Sequence, residues 1–507
     1  MKRIAITALL YLLANTVAGV AIPRDIEERQ VQPISTLTIV AATSYIYALP
    51  TPIPPSIASQ LVGAAPRDPP GALPNARLNV TDPSVTGPPL ATASDEAGSY
   101  TPGYRTIGYF GTWFIYDRKF KPTDLIVSQW THLLVGFWDI GKDGVPKPID
   151  ENADTVTKLL DNPSNLPGAV NGVFEQVFRM KNENRNLKVM ITFGGWLATF
   201  EGQWGTALGT PEKRATFAKA AAKIVIDLGL DGIDFDWEYP QKPAETIAHV
   251  DTLRLLRQEL DAAGKTIGSK RKLLLSIAAP VGPHFIKMID IPGINKYIDF
   301  FNLMAYDMGG SAFSKVSTHG APYFMASDGS TEFCLVDGLE PYLSAGVPAS
   351  KINVLGPIYG HSFAGTDGPG KTFTGAGLSS WGETGGVPDY SEIPQGGDNV
   401  LFEDEKILAS WTYNKKTREM ISFDTPKITK LKTEYMKSRG VGGTGFWAVN
   451  ADKWTREGNL VNAAIEALGG PSVLEKVDNH LNYESSMYPN IKAYDGVKVP
   501  PGKTLDG

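Results

Sequence analysis

Four carboxylic acids crowd into ten residues, Asp231-Gly232-Ile233-Asp234-Phe235-Asp236-Trp237-Glu238-Tyr239-Pro240. Side chains of a strand alternate between faces, so Asp234, Asp236 and Glu238 share one face while Ile233, Phe235 and Trp237 share the other. If helices cover the apolar face, the three acids are driven together on the opposite side. Like charges in a dry environment cannot all ionise, so at least one acid stays protonated near neutral pH. A carboxyl group held neutral in this way is a general acid, and Glu238, at the strand's C-terminal end, is the best placed to act as one. Asp231 has the other parity and reads as structural. Two competing readings are a solvated acidic face on an edge strand and a site for a hard cation. A strand inside a parallel barrel has no exposed edge, and acids in line on one strand do not by themselves enclose an ion.

The elements able to position such a strand follow from hydrophobic texture. Eight short apolar or β-branched runs stand out: Thr106–Phe110, His132–Trp138, Lys188–Phe193, Gly232–Trp237, Leu273–Ala278, Phe300–Ala305, Ile352–Pro357 and Gly445–Val449. Amphipathic segments such as Ala215–Leu228 and Thr425–Arg439 fall between them. Eight βα units in series predict an α/β fold, a closed (β/α)8 TIM barrel whose catalytic residues collect at the C-terminal ends of the strands. The long Gly-, Pro- and aromatic-rich gap after the seventh run predicts a small inserted subdomain, about 359–424, between strand 7 and helix 7. The barrel with its insertion is expected over 105–470.

Flanking segments read differently. Met1-Lys2-Arg3, an apolar run from Ile4 to Ala14 and small residues up to Ala21 form the pattern of a cleaved export signal over 1–21, too short to span a bilayer. Residues 22–104 are rich in Pro, Ala, Ser and Thr without lasting periodicity, which predicts an exposed leader or linker; it holds Asn79-Val80-Thr81, a glycosylation sequon at Asn79. Residues 471–507 read as a polar tail with no assignable chemistry. A secreted, extracellular protein free of the membrane after cleavage is expected, with monomer as the default state. Its single cysteine, Cys334, leaves no internal disulfide, so stability must come from a large core.

Net charge is -6 and the sequence pI about 5.7, which removes the electrostatic basis for binding nucleic acid and favours a neutral substrate. No metal or other cofactor is expected: the six histidines lack ligand spacing, no H-E-x-x-H occurs, and no glycine-rich phosphate loop follows a strand.

Asp231 to Glu238 match the D-x-x-D-x-D-x-E signature of family 18 glycoside hydrolases. Further matches follow in order. Lys188-Val189-Met190-Ile191-Thr192-Phe193-Gly194-Gly195-Trp196 resembles the family's third-strand S-x-G-G motif, Leu303-Met304-Ala305-Tyr306-Asp307 its M-x-Y-D motif, and Gly445-Phe446-Trp447 its eighth-strand tryptophan. The resemblance runs from about Tyr104 to Gly470 and is strongest to fungal secreted chitinases with an α+β insertion.

The resemblance implies hydrolysis of the β-1,4 bonds of chitin or N-acetylglucosamine oligomers by a retaining, substrate-assisted route through an oxazolinium ion. Glu238 would be the acid and then the base. Asp236 would hold the acetamido group, Asp234 would share a proton with Asp236 and bond Thr192, and Tyr306 would donate to the acetamido oxygen. Trp447 would form the floor under the sugar. Met304 and Asp307 would line the same subsite, with Trp196, Tyr239, Tyr109 and Tyr359 as further cleft residues and Gly194 and Gly195 in support. Three positions depart from the family pattern. Thr192 stands for a serine, His361 follows Tyr359-Gly360 where an arginine is usual, and bulky Trp138 follows Phe137, to narrow the cleft or to face the helices. A lectin-like chitin-binding protein and an endo-β-N-acetylglucosaminidase on the same fold are the alternatives; lectins of this type usually lack the acid at the Glu238 position.

Overall fold

A computed structural model describes residues 103–505, apart from 162, 200–201, 270, 382–384, 495–497 and 500–501. The expected export signal, nearly all of the leader and Asn79 lie outside the described residues.

In chain order the strands are β1 (Arg105–Gly111), β2 (His132–Ile140), its short antiparallel partner β3 (Pro146–Pro148), β4 (Lys188–Gly194), β5 (Gly232–Asp236), β6 (Leu274–Ala279), β7 (Phe300–Met304) and β8 (Ile352–Pro357). There follow β9 (His361–Ala364), β10 (Gly375–Ala376), β11 (Asn399–Asp404), β12 (Ala409–Asn414), β13 (Glu419–Phe423) and β14 (Gly443–Trp447). Eight of these, β1, β2, β4 to β8 and β14, pair in parallel, and β1 bonds both β14 and β2, so the sheet closes into the expected barrel. β9 to β13 form a separate five-stranded antiparallel sheet between β8 and the helix before β14.

The longer helices are α1 (Gly172–Glu183), α2 (Pro211–Asp227), α3 (Pro243–Thr266), α4 (Leu335–Ser344), α5 (Pro426–Ser438) and α6 (Leu460–Leu468). The two segments read as helices from periodicity are α2 and α5. α2 begins a turn earlier than its apolar stripe because Thr210 caps it by accepting from the Lys213 N–H, with Pro211 at the first helical position. Thr425 and Pro426 start α5 in the same way.

Strand parity creates two cores. Ile107, Tyr109, Leu134, Met190, Phe300 and Leu355 fill the barrel interior. The alternate residues, among them Ile233, Phe235, Phe301 and Val354, join the larger core between strands and helices. Trp138 belongs outside: its ring meets Phe174 and Phe193 edge-on at 6.2 and 6.4 Å, so it faces the helices and leaves the cleft open. Trp130 is 5% exposed, and Trp411, partly buried, lies flat on Phe402 of the inserted sheet.

The described part of the C-terminal segment is not a loose tail. It runs under the N-terminal ends of the strands, where the His480 N–H donates to Asp231 at 2.7 Å and the Tyr483 hydroxyl donates to the Leu230 carbonyl at 2.6 Å. Lys181 pairs with Asp231 at 2.9 Å with both side chains fully buried, and Lys188 pairs with Glu475 at 2.9 Å. Asp231 is thus the structural acid its parity indicated. Polar composition hid this role, because the segment's contacts are to charges and carbonyls of the barrel floor, which leave no apolar periodicity.

Candidate active site

β5 carries the acids in the expected arrangement. Ile233 and Phe235 point outward, Phe235 against Trp204 and Phe217, while Asp234 and Asp236 point into the barrel. Trp237 continues the apolar face against Trp204 and His249. Asp234 is fully buried and receives four donors. Ser276 Oγ and Asn302 Nδ2 donate to Oδ1 at 2.6 and 3.1 Å; the Tyr109 and Thr192 hydroxyls donate to Oδ2 at 2.9 and 3.4 Å. The threonine therefore keeps the hydroxyl contact, at a long distance. Burial raises the Asp234 carboxyl to about 6, while the bonds from Ser276, Tyr109, Asn302 and Thr192 oppose the rise.

Asp236, one step nearer the mouth, has a buried Oδ1 without a hydrogen-bond partner. Burial, then the charges of Glu238 and Asp234, push its carboxyl well above the ordinary range. Glu238 follows the strand at the partly exposed rim. Its backbone N and O each lie 3.1 Å from the Thr199 hydroxyl, and its Oε2 accepts from the Tyr239 hydroxyl at 3.2 Å. Burial raises it to about 7, with the Tyr239 bond working against the rise and the Asp307 charge adding to it. A proton on Glu238 near neutral pH is what a general acid needs.

The glycines after β4 make room for this rim. Gly194 and Gly195 have φ of 114° and 82°. A Cβ on Gly194 would stand 2.0 Å from the Asp236 carbonyl oxygen, and the Gly195 N–H donates to that same oxygen at 3.0 Å. Only glycine permits this approach at such φ values.

From β7, Met304 lines the inner core and Tyr306 faces the acids; burial, then the Asp236 and Glu238 charges, push its phenol well above its ordinary value. Asp307, with a φ of 53°, turns outward with its side chain 48% exposed. Its Oδ1 accepts from the Tyr359 hydroxyl at 2.6 Å and meets His361 Nε2 at 2.8 Å. The histidine therefore grips the carboxylate at the rim. Trp447 ends β14 partly exposed, with Tyr109 at 5.7 Å, Phe137 at 5.7 Å and Trp113 at 6.4 Å. Trp196 stands partly exposed at the rim after β4, at the head of the short helix Trp196–Thr199.

Two expected cleft residues are placed differently. Tyr109 is 2% exposed, lies below Trp447 and spends its hydroxyl on Asp234, because an inward aromatic midway along β1 ends in the barrel core. Tyr239 is turned into the protein, stacked on Phe285 at 4.4 Å, with only its hydroxyl reaching Glu238. Sequence reasoning missed Ser276, Asn302, Thr199, Trp113 and Phe137. A lone polar residue of inward parity in an apolar strand, Ser276 in Leu274–Ala279 and Asn302 in Phe300–Met304, was the available signal. Trp113 and Phe137, stacked at 6.0 Å, carried none, since most aromatic residues pack in cores.

Comparison with known proteins agrees with this geometry. Residues 105–452 match the model of the glycosyl hydrolases of family 18. Endochitinase 1 of Metarhizium robertsii is 38% identical over 409 residues, 80% of this chain and 94% of that protein. Chitinase 1 of Aphanocladium album is 36% identical over the same shares of both chains. Among solved structures, the Group IV chitinase of Ostrinia furnacalis in complex with allosamidin superposes with a TM-score of 0.63 at 26% identity, over 72% of this chain and all of that one. With a family match over more than half its length and the acid strand inside a closed barrel, the chain belongs to family 18 of the glycosyl hydrolases.

Proposed function

We propose that the protein is an exported chitinase that hydrolyses β-1,4 bonds between N-acetylglucosamine units with retention, by substrate assistance. The observation that carries this is the acid set. Glu238 stands at the rim with burial holding its carboxyl up at about 7, Asp236 and Asp234 lie behind it on the same strand face, and Tyr306 stands opposite.

In this reading Glu238 gives its proton to the glycosidic oxygen as the C–O bond breaks. The substrate's own acetamido carbonyl closes on the anomeric carbon to form the oxazolinium ion. Asp236 accepts the acetamido N–H on a carboxyl oxygen, Asp234 behind it supplies the negative charge that faces the cation, and the Tyr306 hydroxyl donates to the acetamido oxygen. Water then opens the ring while Glu238, now a carboxylate, takes the water's proton. Trp447 offers an indole face to the C–H face of the bound sugar. The names of the fungal relatives and the neutral substrate favoured by the chain's charge support the choice of polymer. Among the described residues no helix is long and apolar enough to cross a membrane.

The test is release of reducing sugar from an N-acetylglucosamine oligomer, beside a fully de-N-acetylated oligomer. Wild-type protein should cleave only the acetylated chain. Glu238→Gln should lose roughly 10²–10⁴-fold in kcat while still binding it. Equal cleavage of both oligomers would remove the acetamido group from the mechanism, and binding without cleavage by the wild type would leave a lectin.

A further inference from the structure

A directional chain of hydrogen bonds runs through the barrel interior to Asp234. Arg105 Nε, at the N-terminal end of β1, donates to Asn353 Oδ1 on β8 at 2.8 Å. Asn353 Nδ2 donates to Asn302 Oδ1 on β7 at 3.0 Å, and Asn302 Nδ2 donates to Asp234 Oδ1 at 3.1 Å. Both amides are fully buried. An isolated carboxamide can turn either its oxygen or its nitrogen to a neighbour. A guanidinium has donors only, so Arg105 fixes the direction of the whole chain: oxygen toward Arg105, nitrogen toward Asp234, at each amide in turn. A neutral Asp234 would offer an O–H where a second donor already points.

We propose that Arg105 and Asn353 are positioning residues for the acid set: acting through Asn302, they hold Asp234 as the ionised member and so leave the proton to Asp236. The other groups around Asp234 act in the same direction. Tyr109, Thr192 and Ser276, from β1, β4 and β6, each present a hydroxyl donor, whereas Asp236 Oδ1 has no partner. The charges facing Asp234 from the mouth are Asp236 and, beyond it, Glu238, with the phenol of Tyr306. Around the Arg105 end stand Phe300, whose ring the guanidinium covers at 5.1 Å, and the His132, Lys188 and Glu475 group. Burial raises both acids, but Asp234 has four donors that oppose the rise, whereas the charges of Glu238 and Asp234 add to it at Asp236. Bonds between polarised amides strengthen one another in a dry interior, which lets a cation at the barrel floor act on an acid several residues away.

The direct test is a carbon-13 NMR titration of aspartate-labelled protein, with the Asp234 signal assigned from Asp234→Asn. In the wild type Asp234 should titrate below Asp236. Asn353→Leu, which breaks the chain and leaves Asn302 free to turn, should raise the Asp234 midpoint by about one pH unit, a tenfold change in proton affinity. Arg105→Met should shift it the same way, and Arg105→Lys, which keeps a charged donor, should restore it. This readout does not need turnover, so it stands even if the chitinase reading fails. A second readout rests on that reading: the acid limb of kcat on the N-acetylglucosamine oligomer should move up with the Asp234 midpoint while KM holds. If Arg105→Met and Asn353→Leu lower the melting temperature but leave both midpoints in place, the chain is only structural and the proposal is overturned.

Discussion

Asp307 touches the chemistry through charge. Its carboxylate helps keep the proton on Glu238, whose ionisation near pH 7 should set the basic limb of the activity profile. A negative neighbour disfavours the ionised acid, so removing it lowers that pKa. Asp307→Asn, whose amide oxygen can still accept from Tyr359 and His361, should therefore move the basic limb of kcat to lower pH; a profile of kcat against pH reads the sign. His361 acts on the same carboxylate from the side. His361→Leu leaves Asp307 to Tyr359 alone, and the loss of one bond to a charged group should raise KM for the oligomer by roughly tenfold with kcat kept. An unchanged KM would show that the Asp307–His361 pair has no part in substrate binding.

Among the elements, the loops at the strand tips depend on buried polar support. The turn Thr112–Ile115 carries Trp113 beside Trp447, and it packs on the π-helical turn Asn152–Val156, in which Asp154 is fully buried. Burial pushes the Asp154 carboxyl up to about 8, relieved in part by Thr112 and Trp138. A carboxyl raised in the folded state stabilises the fold at low pH, and that contribution is lost as pH rises through the folded value. Thermal stability should thus fall towards about pH 8, and Asp154→Asn, which mimics the neutral form, should flatten that fall. His132 and His249, both lowered by burial to about 3, have the opposite sign: stability present above their unfolded value near 6.5 is lost as pH falls toward about 3. At the tip of β4, Gly194→Ala would drive a methyl group into the Asp236 carbonyl and displace the strand that carries the acids.

For the molecule as a whole, the barrel floor is completed by the segment beyond α6. Tyr483 is fully buried, and its ring lies 5.1 Å from the Lys181 ammonium. Tyr483→Ala should cost about 3–5 kcal/mol, the scale of removing a buried aromatic, and a denaturant titration would read it. Truncation after Gly470 should be worse, since it strips the His480 and Glu475 partners from Asp231 and Lys188. The sequence by itself determined the barrel and the strand on which Asp234, Asp236 and Glu238 share a face, because alternation along a strand and the order of βα units are local properties; Tyr306 was proposed only from the resemblance of Leu303–Asp307 to a family motif. Parity alone also separated Asp231 from the other acids. Only the tertiary structure decided that Tyr109 serves Asp234, that Trp138 turns away from the cleft, that His361 holds Asp307, and that Arg105 reaches Asp234 through two asparagines. Those contacts join residues of distant strands, where closure of the sheet sets the neighbours and no spacing along the chain records them.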